Sequence, residues 1–251
     1  LRAIAQVAAF AAVLALLLSS PKASLAVGEE NPYPPGGIGY DLSWPQCDDT
    51  LGALSFDFAI VGVTGGRAFT QNPCLSALFR WASSAPTAPS LYMNLNYAAG
   101  STAANGLRGP MGECRRGDKA CQSYNYGYNA AEYALAYAAS QGASAQVWWL
   151  DIETTNTWSK RTELNALVIQ GAIDYLQEQG RTVGIYSTRR QWSIIAGDFS
   201  PGLPIWVAGA GDLRSAQARC ADPTYWFAGG MPWLVQFPLN GYGGDYTCHT
   251  G

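Results

Sequence analysis

The feature that most constrains the fold is a rhythm of short apolar runs separated by longer segments of helical character. The runs cover residues 38–43, 58–64, 90–94, 146–152, 182–187, 204–208 and 233–237. They have strand length, and most lack the clean alternation of a half-exposed strand, as expected when both faces of a parallel sheet are covered. Between them, an Ala-rich stretch over 128–140 carries Tyr133 and Tyr137 at i, i+4. Over 161–179, Leu164, Leu167, Val168, Gly171, Ala172, Tyr175 and Leu176 keep a period near 3.6, and Gly180 supplies a stop. Strand and helix alternating over ~200 residues indicate an α/β domain. No Gly-rich phosphate turn follows the first run, which favours a closed β/α barrel over an open nucleotide-binding sheet. One such barrel takes ~250 residues, so the 251 residues here suit a single domain. There is no internal repeat, and residues 98–106, rich in Ala, Gly and Ser, read as a surface loop.

The first residues read differently. Arg2 precedes an almost wholly apolar stretch over 3–18, Ser24-Leu25-Ala26 offers small residues for cleavage, and no acid occurs before Glu29. The stretch is shorter than the ~20 residues of a spanning helix. Residues 1–26 are therefore expected to be a signal peptide, with an uncleaved anchor as the alternative. Residues 27–37, with three prolines and two glycines at their end, are expected to be a linker, and 38–251 the barrel domain. All six cysteines, Cys47, Cys74, Cys114, Cys121, Cys220 and Cys248, lie beyond the expected cleavage point. An even number fits disulfides in an exported protein. Six thiols allow 15 pairings, among which sequence does not choose; sequential pairing is the expectation adopted.

Without Arg2 and Lys22, 13 of the 15 basic residues face 18 acids, a net charge near −5. That balance argues against nucleic acid as a partner, since phosphate binding needs clustered Lys and Arg. A zinc site is disfavoured because there is no C-x-x-C pair and His249 is the sole histidine. The same scarcity removes Ser-His-Asp and Cys-His catalysis, and no dinucleotide or P-loop motif is present. Neither metal nor cofactor is expected. The 9 Trp and 14 Tyr are many for this length; most are accounted for by packing, and some suit the apolar faces of sugar rings.

The strongest local signal is Val147-Trp148-Trp149-Leu150-Asp151-Ile152-Glu153, an apolar strand ending in two carboxylates one residue apart. A period of 2 puts both on one face. In a barrel, that end of a strand faces the mouth, where active sites are built. Mutual repulsion and burial behind Trp148 and Trp149 are expected to raise one pKa and leave the other group ionised, the division that glycosidic bond cleavage requires. Asp41 ends the first run, and Asp245, in Gly243-Gly244-Asp245-Tyr246, follows the last.

Taken in order, Asp41-Leu42-Ser43 with Gln46, Leu150-Asp151-Ile152-Glu153, Ile205-Trp206-Val207-Ala208, and Val235-Gln236-Phe237 with Asp245 resemble family-25 glycoside hydrolases. Gly184-Ile185-Tyr186-Ser187-Thr188 extends the resemblance over nearly the whole of the expected mature chain. It implies a TIM-like, irregular β/α barrel of the glycoside hydrolase superfamily. It also implies a secreted, monomeric muramidase cutting β-1,4 bonds after N-acetylmuramic acid in peptidoglycan. By matched position, Glu153 is the general acid, Asp151 orients substrate or stabilises the cation, and Asp41 and Asp245 complete an acidic cleft. Tyr92, Asn94, Trp206, Gln236 and Tyr186 fall at substrate-binding positions. Three departures stand out: Leu91-Tyr92-Met93-Asn94-Leu95 lacks the usual aromatic continuation, Val235 replaces a tryptophan, and Gly209-Ala210-Gly211 occupies a place where an aromatic wall is expected. Cys47 and the segment 109–123 read as added disulfide architecture.

The two acids also fit a substrate-assisted route, in which an N-acetyl group attacks while Asp151 steadies it. Spacing in sequence does not separate retaining from inverting chemistry, which depends on the gap between carboxyl groups. A different class of function, a catalytically silent barrel binding cell-surface glycan or protein through Trp44, Trp148, Trp149, Trp206 and Trp233, is the alternative.

Overall fold

The computed structural model describes residues 30–49, 51 and 54–249. The expected signal segment, residues 1–26, lies outside them. In chain order the strands are β1 (Ile38–Leu42), β2 (Phe58–Gly62), β3 (Ser90–Asn94), β4 (Arg108–Gly109), β5 (Gly112–Glu113), β6 (Val147–Asp151), β7 (Thr182–Ser187), β8 (Ile205–Val207), β9 (Pro232–Leu239) and β10 (Tyr242–Thr247). Eight of them close a barrel in the order β1-β10-β9-β8-β7-β6-β3-β2, while β4 and β5 form a separate small hairpin. From β1 through β2, β3 and β6 to β9, neighbours pair in parallel. Within the barrel, only β10 runs antiparallel, to both β9 and β1. A hairpin thus takes the place of a final crossover, and this makes the barrel irregular.

All seven apolar runs are barrel strands, whereas β10 is not among them. Its sequence, Tyr242-Gly243-Gly244-Asp245-Tyr246-Thr247, has two glycines and an acid where an apolar run would be sought. The turn before it is nevertheless a hairpin signal. Leu239 pairs with Tyr242, so the loop is Asn240-Gly241, with φ of 54° and 87°. Asn-Gly favours this two-residue turn because both positions need positive φ. Asp245 therefore sits within a strand, not beyond one.

Among the described residues five α-helices surround the sheet: α1 (Leu75–Ala82), α2 (Lys119–Ser140), α3 (Thr162–Glu178), α4 (Arg189–Ala196) and α5 (Leu213–Ala221). Helix α3 matches its period, and Gly180 leaves it at φ 70°. Helix α2 begins nine residues before the expected start. Asn125 and Gly127 weaken the helical pattern there, but the Asp118 carboxylate caps the Cys121 amide at 3.1 Å and the Cys114–Cys121 disulfide holds the first turn. The stretch over 98–106 contains a 3-10 helix, Gly100–Gly106. No helix among the described residues is long and apolar enough to cross a membrane.

Alternation along the strands divides the core into two. Phe58, Ile60, Val147, Trp149, Trp206 and Trp233 fill the barrel interior. Trp148, Leu150, Ile185 and Val207 face the other way, into the shell of helices. Room for the indoles comes from missing side chains: a Cβ on Gly184 would stand 2.3 Å from the Trp149 ring.

The segment expected as a linker, residues 27–37, differs from that expectation over its described part. Tyr33 is buried inside the barrel, its hydroxyl 2.6 Å from Ser90 Oγ and accepting from Trp149 Nε1 at 2.9 Å. Asn31 Nδ2 donates to the carbonyls of Trp233 and Cys248. Pro and Gly made this stretch read as a spacer, yet one aromatic side chain with a polar tip suffices to plug the end of the barrel opposite the mouth. The disulfides follow the sequential pairing, Cys47–Cys74, Cys114–Cys121 and Cys220–Cys248. The last ties α5 to the end of β10.

Candidate active site

Six strands aim side chains into one pocket of about 190 Å³ at the C-terminal end of the parallel strands. Asp41 comes from β1, Tyr92 from β3, Tyr186 from β7, Trp206 from β8 and Gln236 from β9. Asp151 comes from the end of β6, and Glu153 from just beyond it. The spacing of two residues does put both acids on one face, as their period requires.

Asp151 is 5 % exposed. Asn94, its partner across the β3–β6 ladder, donates from Nδ2 to Asp151 Oδ2. The Thr64 hydroxyl fixes the orientation of that amide by donating to Asn94 Oδ1 at 2.6 Å, leaving only Nδ2 for the acid. Asp151 Oδ1 is buried and has no protein hydrogen-bond partner. Burial pushes the Asp151 carboxyl well above the usual carboxylate range, reinforced by negative Glu153 and Asp41 and opposed by Asn94.

Glu153 is half-buried. Its backbone carbonyl accepts from Trp158 Nε1 at 2.7 Å. Gln191, from α4, accepts at Oε1 from the Thr154 amide and hydroxyl at 2.5 and 2.9 Å and hydrogen-bonds the Glu153 carboxylate. Desolvation raises the Glu153 carboxyl, and the Gln191 bond holds it back.

Asp41 accepts from Gln236 Nε2 at 2.9 Å, and Gln236 in turn accepts from the Tyr186 hydroxyl at 2.8 Å. Gly243, opposite Asp41 on β10, makes this possible, since a Cβ there would lie 2.0 Å from Asp41 Oδ2. Burial pushes the Asp41 carboxyl up to about 6, against the hydrogen bonds from Gln236 and Asp245. Asp245 lies beneath, fully buried, and accepts from Trp206 Nε1 at 2.7 Å. Desolvation, with negative Asp41 beside it, pushes its carboxyl well up.

The expected division into one raised and one ordinary carboxylate is therefore not what the structure shows. Desolvation raises all four acids, and no Lys, Arg or His lines the pocket to offset it. Such a cluster titrates as a unit, not acid by acid.

Of the residues read from sequence, Asp41, Asp151, Glu153, Tyr92, Tyr186, Trp206 and Gln236 share the pocket. Asn94 stands behind Asp151, and Asp245 supports Asp41 and Trp206 from within the barrel without lining the pocket. Thr64, Gln191 and Gly243 were not singled out. Thr64 at the end of an apolar run carried a faint signal, and Gln191 none. The tryptophans of the binding-only alternative are placed otherwise than it requires. Trp148 lies under the helices, and Trp149 and Trp233 are core of the barrel. Trp206 meets the pocket only with its ring, and Trp44 alone is well exposed, at 49 %. The rings of Tyr186 and Trp206, 4.5 Å apart, form an aromatic floor. Among the described residues no group of three or more His, Cys, Asp or Glu is arranged to hold a metal ion.

Comparison with known proteins gives three kinds of match. A family model described as lysozyme-like protein 1 matches residues 119–220. A probable family-25 lysozyme of Dictyostelium discoideum is 32% identical over 81 residues, 32% of this chain and 38% of that protein. The chain thus spans well under half the length of that relative. Among solved structures, a family-25 glycosyl hydrolase from Bacillus anthracis superposes with a TM-score of 0.55 at 12% identity, over 88% of this chain and 92% of that one. A bacterial lysozyme from Streptomyces coelicolor superposes with a TM-score of 0.54 at 17% identity, over 86% and 93%. In local sequence this chain is similar to family-25 lysozymes over a third of its length, and its irregular β/α barrel has the fold of the family-25 structures.

Proposed function

We propose that this protein is a glycoside hydrolase that cuts β-1,4 bonds of peptidoglycan in the manner of an N-acetylmuramidase, with Glu153 as the general acid. The observation that carries the proposal is the convergence of Asp41, Asp151 and Glu153 on one aromatic-floored pocket at the mouth of the barrel.

The roles follow from environment. Glu153 is only half-buried and lines the pocket, so it is the acid placed to give a proton to the departing glycosidic oxygen as the C1–O bond breaks. Asp151 has an oxygen without a partner, suited to the N–H of a 2-acetamido group. With Asn94 and the N–H of the bound substrate both donating to Asp151, the proton shared by the pair rests on Glu153, and the acetamido oxygen bonds to C1 while Asp151 steadies the positive charge on its nitrogen. Water then attacks C1, reopening the ring so formed and returning a proton to Glu153. Asn94 holds Asp151 in place and favours its charged form. Tyr92 and Tyr186 stay neutral, their hydroxyls raised by burial; Tyr186 donates to Gln236, and Tyr92 serves as a donor to the substrate. Every group needed comes from one chain, so a monomer suffices. Export belongs to the same proposal, supported by three disulfides.

The test is release of reducing ends from purified peptidoglycan, with mass analysis of the products. Glu153→Gln is expected to lose about 10²- to 10⁴-fold in rate with its melting temperature kept, and the wild-type products to end in muramic acid. A Gln variant as active as the wild type would overturn the assignment.

A further inference from the structure

Beside the ends of β7 and β8, between α4 and α5, lies a groove of about 690 Å³. Its lining includes Arg189, Arg190 and Arg219 and no acid. Arg189 Nη1 donates to the carbonyls of Pro223 and Thr224 at 3.4 and 3.1 Å. Arg219 Nη1 donates to the Ala208 carbonyl at 2.8 Å, and its guanidinium carbon lies 4.4 Å from the centre of the Tyr225 ring. None of the three arginines belongs to the two ion pairs found among the described residues. Carbonyl oxygens fix a guanidinium without neutralising it, so the groove presents oriented positive charge with donors to spare. The acid pocket nearby has the opposite character.

The two are joined. A smaller depression of about 270 Å³ shares Gln236 with the acid pocket and Gly209 with the arginine groove. Gly209 and Ala210, where the sequence lacks an aromatic wall, give this passage one side of small residues facing Gln236, Phe237 and Pro238.

We propose that the arginine groove binds carboxylates of the peptide stems carried by the glycan, so that the enzyme engages strand and stem together. The inference rests on the proposed hydrolysis of peptidoglycan, in which the stem hangs from a sugar bound within reach of the passage. Ile194, Val207 and Tyr225 in the groove suit the apolar parts of a peptide better than a bare phosphate.

The experiment compares glycan strands bearing peptide stems with the same strands after amidase removal of the stems, each with and without prior stripping of wall phosphate. Arg190→Glu is expected to raise KM on stem-bearing strands about tenfold, to leave kcat unchanged, and to leave stem-free strands unaffected. Arg219→Lys, which keeps the charge, should retain much of the wild-type KM. An equal effect on both substrates, no effect, or an effect that disappears with the phosphate would overturn the proposal. Calorimetry with a soluble acidic stem peptide needs no turnover and separates the two readings. Binding that is lost in Arg190→Glu supports the groove even if no hydrolysis occurs, and absence of binding to the wild type overturns it whatever the hydrolysis.

Discussion

Replacing Asp41 by Asn is expected to trade activity for stability at neutral pH. The carboxyl is raised from 3.8 to about 6 by burial. Its folded-state pKa lies above its unfolded one, so the folded protein binds more protons between those values. The protonated group's contribution is fully present below about pH 4 and is lost as pH rises through about 6. A shift of about two units at ~1.4 kcal/mol each amounts to at most about 3 kcal/mol. Asn has the same shape, accepts from Gln236 as Asp41 does, offers an N–H to Asp245, and still fits against Gly243. It does not ionise, so the variant escapes this loss. Thermal unfolding with disulfides intact, followed by tryptophan fluorescence at about pH 4 and about pH 8, reads the effect. The variant should gain on the wild type by roughly 6 to 12 °C between the two conditions, while peptidoglycan hydrolysis falls. An equal difference in melting temperature at both pH values would refute the reasoning that a desolvated Asp41 is destabilising when charged.

Tyr33→Phe leaves the buried Trp149 N–H without its acceptor, and should cost about 1–3 kcal/mol in urea unfolding; an unchanged midpoint would mean that residues before β1 do not support the barrel. Gly184→Ala drives a methyl group into the Trp149 ring and should destabilise by about 1–3 kcal/mol or more, with the loss visible in the same assay. Removing Cys220–Cys248, which closes a separation of 28 residues, should cost about 3–4 kcal/mol. Removing Cys114–Cys121, with a separation of 7, should cost about 2.5 kcal/mol. Melting of the double Ser variants tests that order.

Much of this was legible in the residues because parallel strands buried on both faces leave continuous apolar runs, and seven such runs became seven strands. Asp151 and Glu153 could be placed side by side because the period of a strand is fixed. What escaped notice depended on tertiary context. Strand β10 is pinned between β1 and β9 by pairing, not by its own composition, so Asp245 was set at a cleft when it lies inside the wall. Tyr33 stood in a stretch of Pro and Gly with nothing local to show that the barrel end would receive it. Gln191 reaches Glu153 only because α4 packs beside the β6 loop, a contact across 38 positions without a sequence signature. The electrostatic pattern was likewise out of reach: an i, i+2 pair suggests repulsion, but desolvation of the whole cluster is a property of the closed barrel.

The central claim is that Glu153 donates a proton to the leaving group, and leaving-group dependence tests this most directly. The rates of wild type and Glu153→Gln are compared on peptidoglycan and on a chitooligosaccharide with an activated aryl leaving group, whose departure needs no proton. Loss of the Glu153 proton should cost about 10²- to 10⁴-fold on peptidoglycan and little on the aryl substrate. Equal losses on both substrates would contradict it.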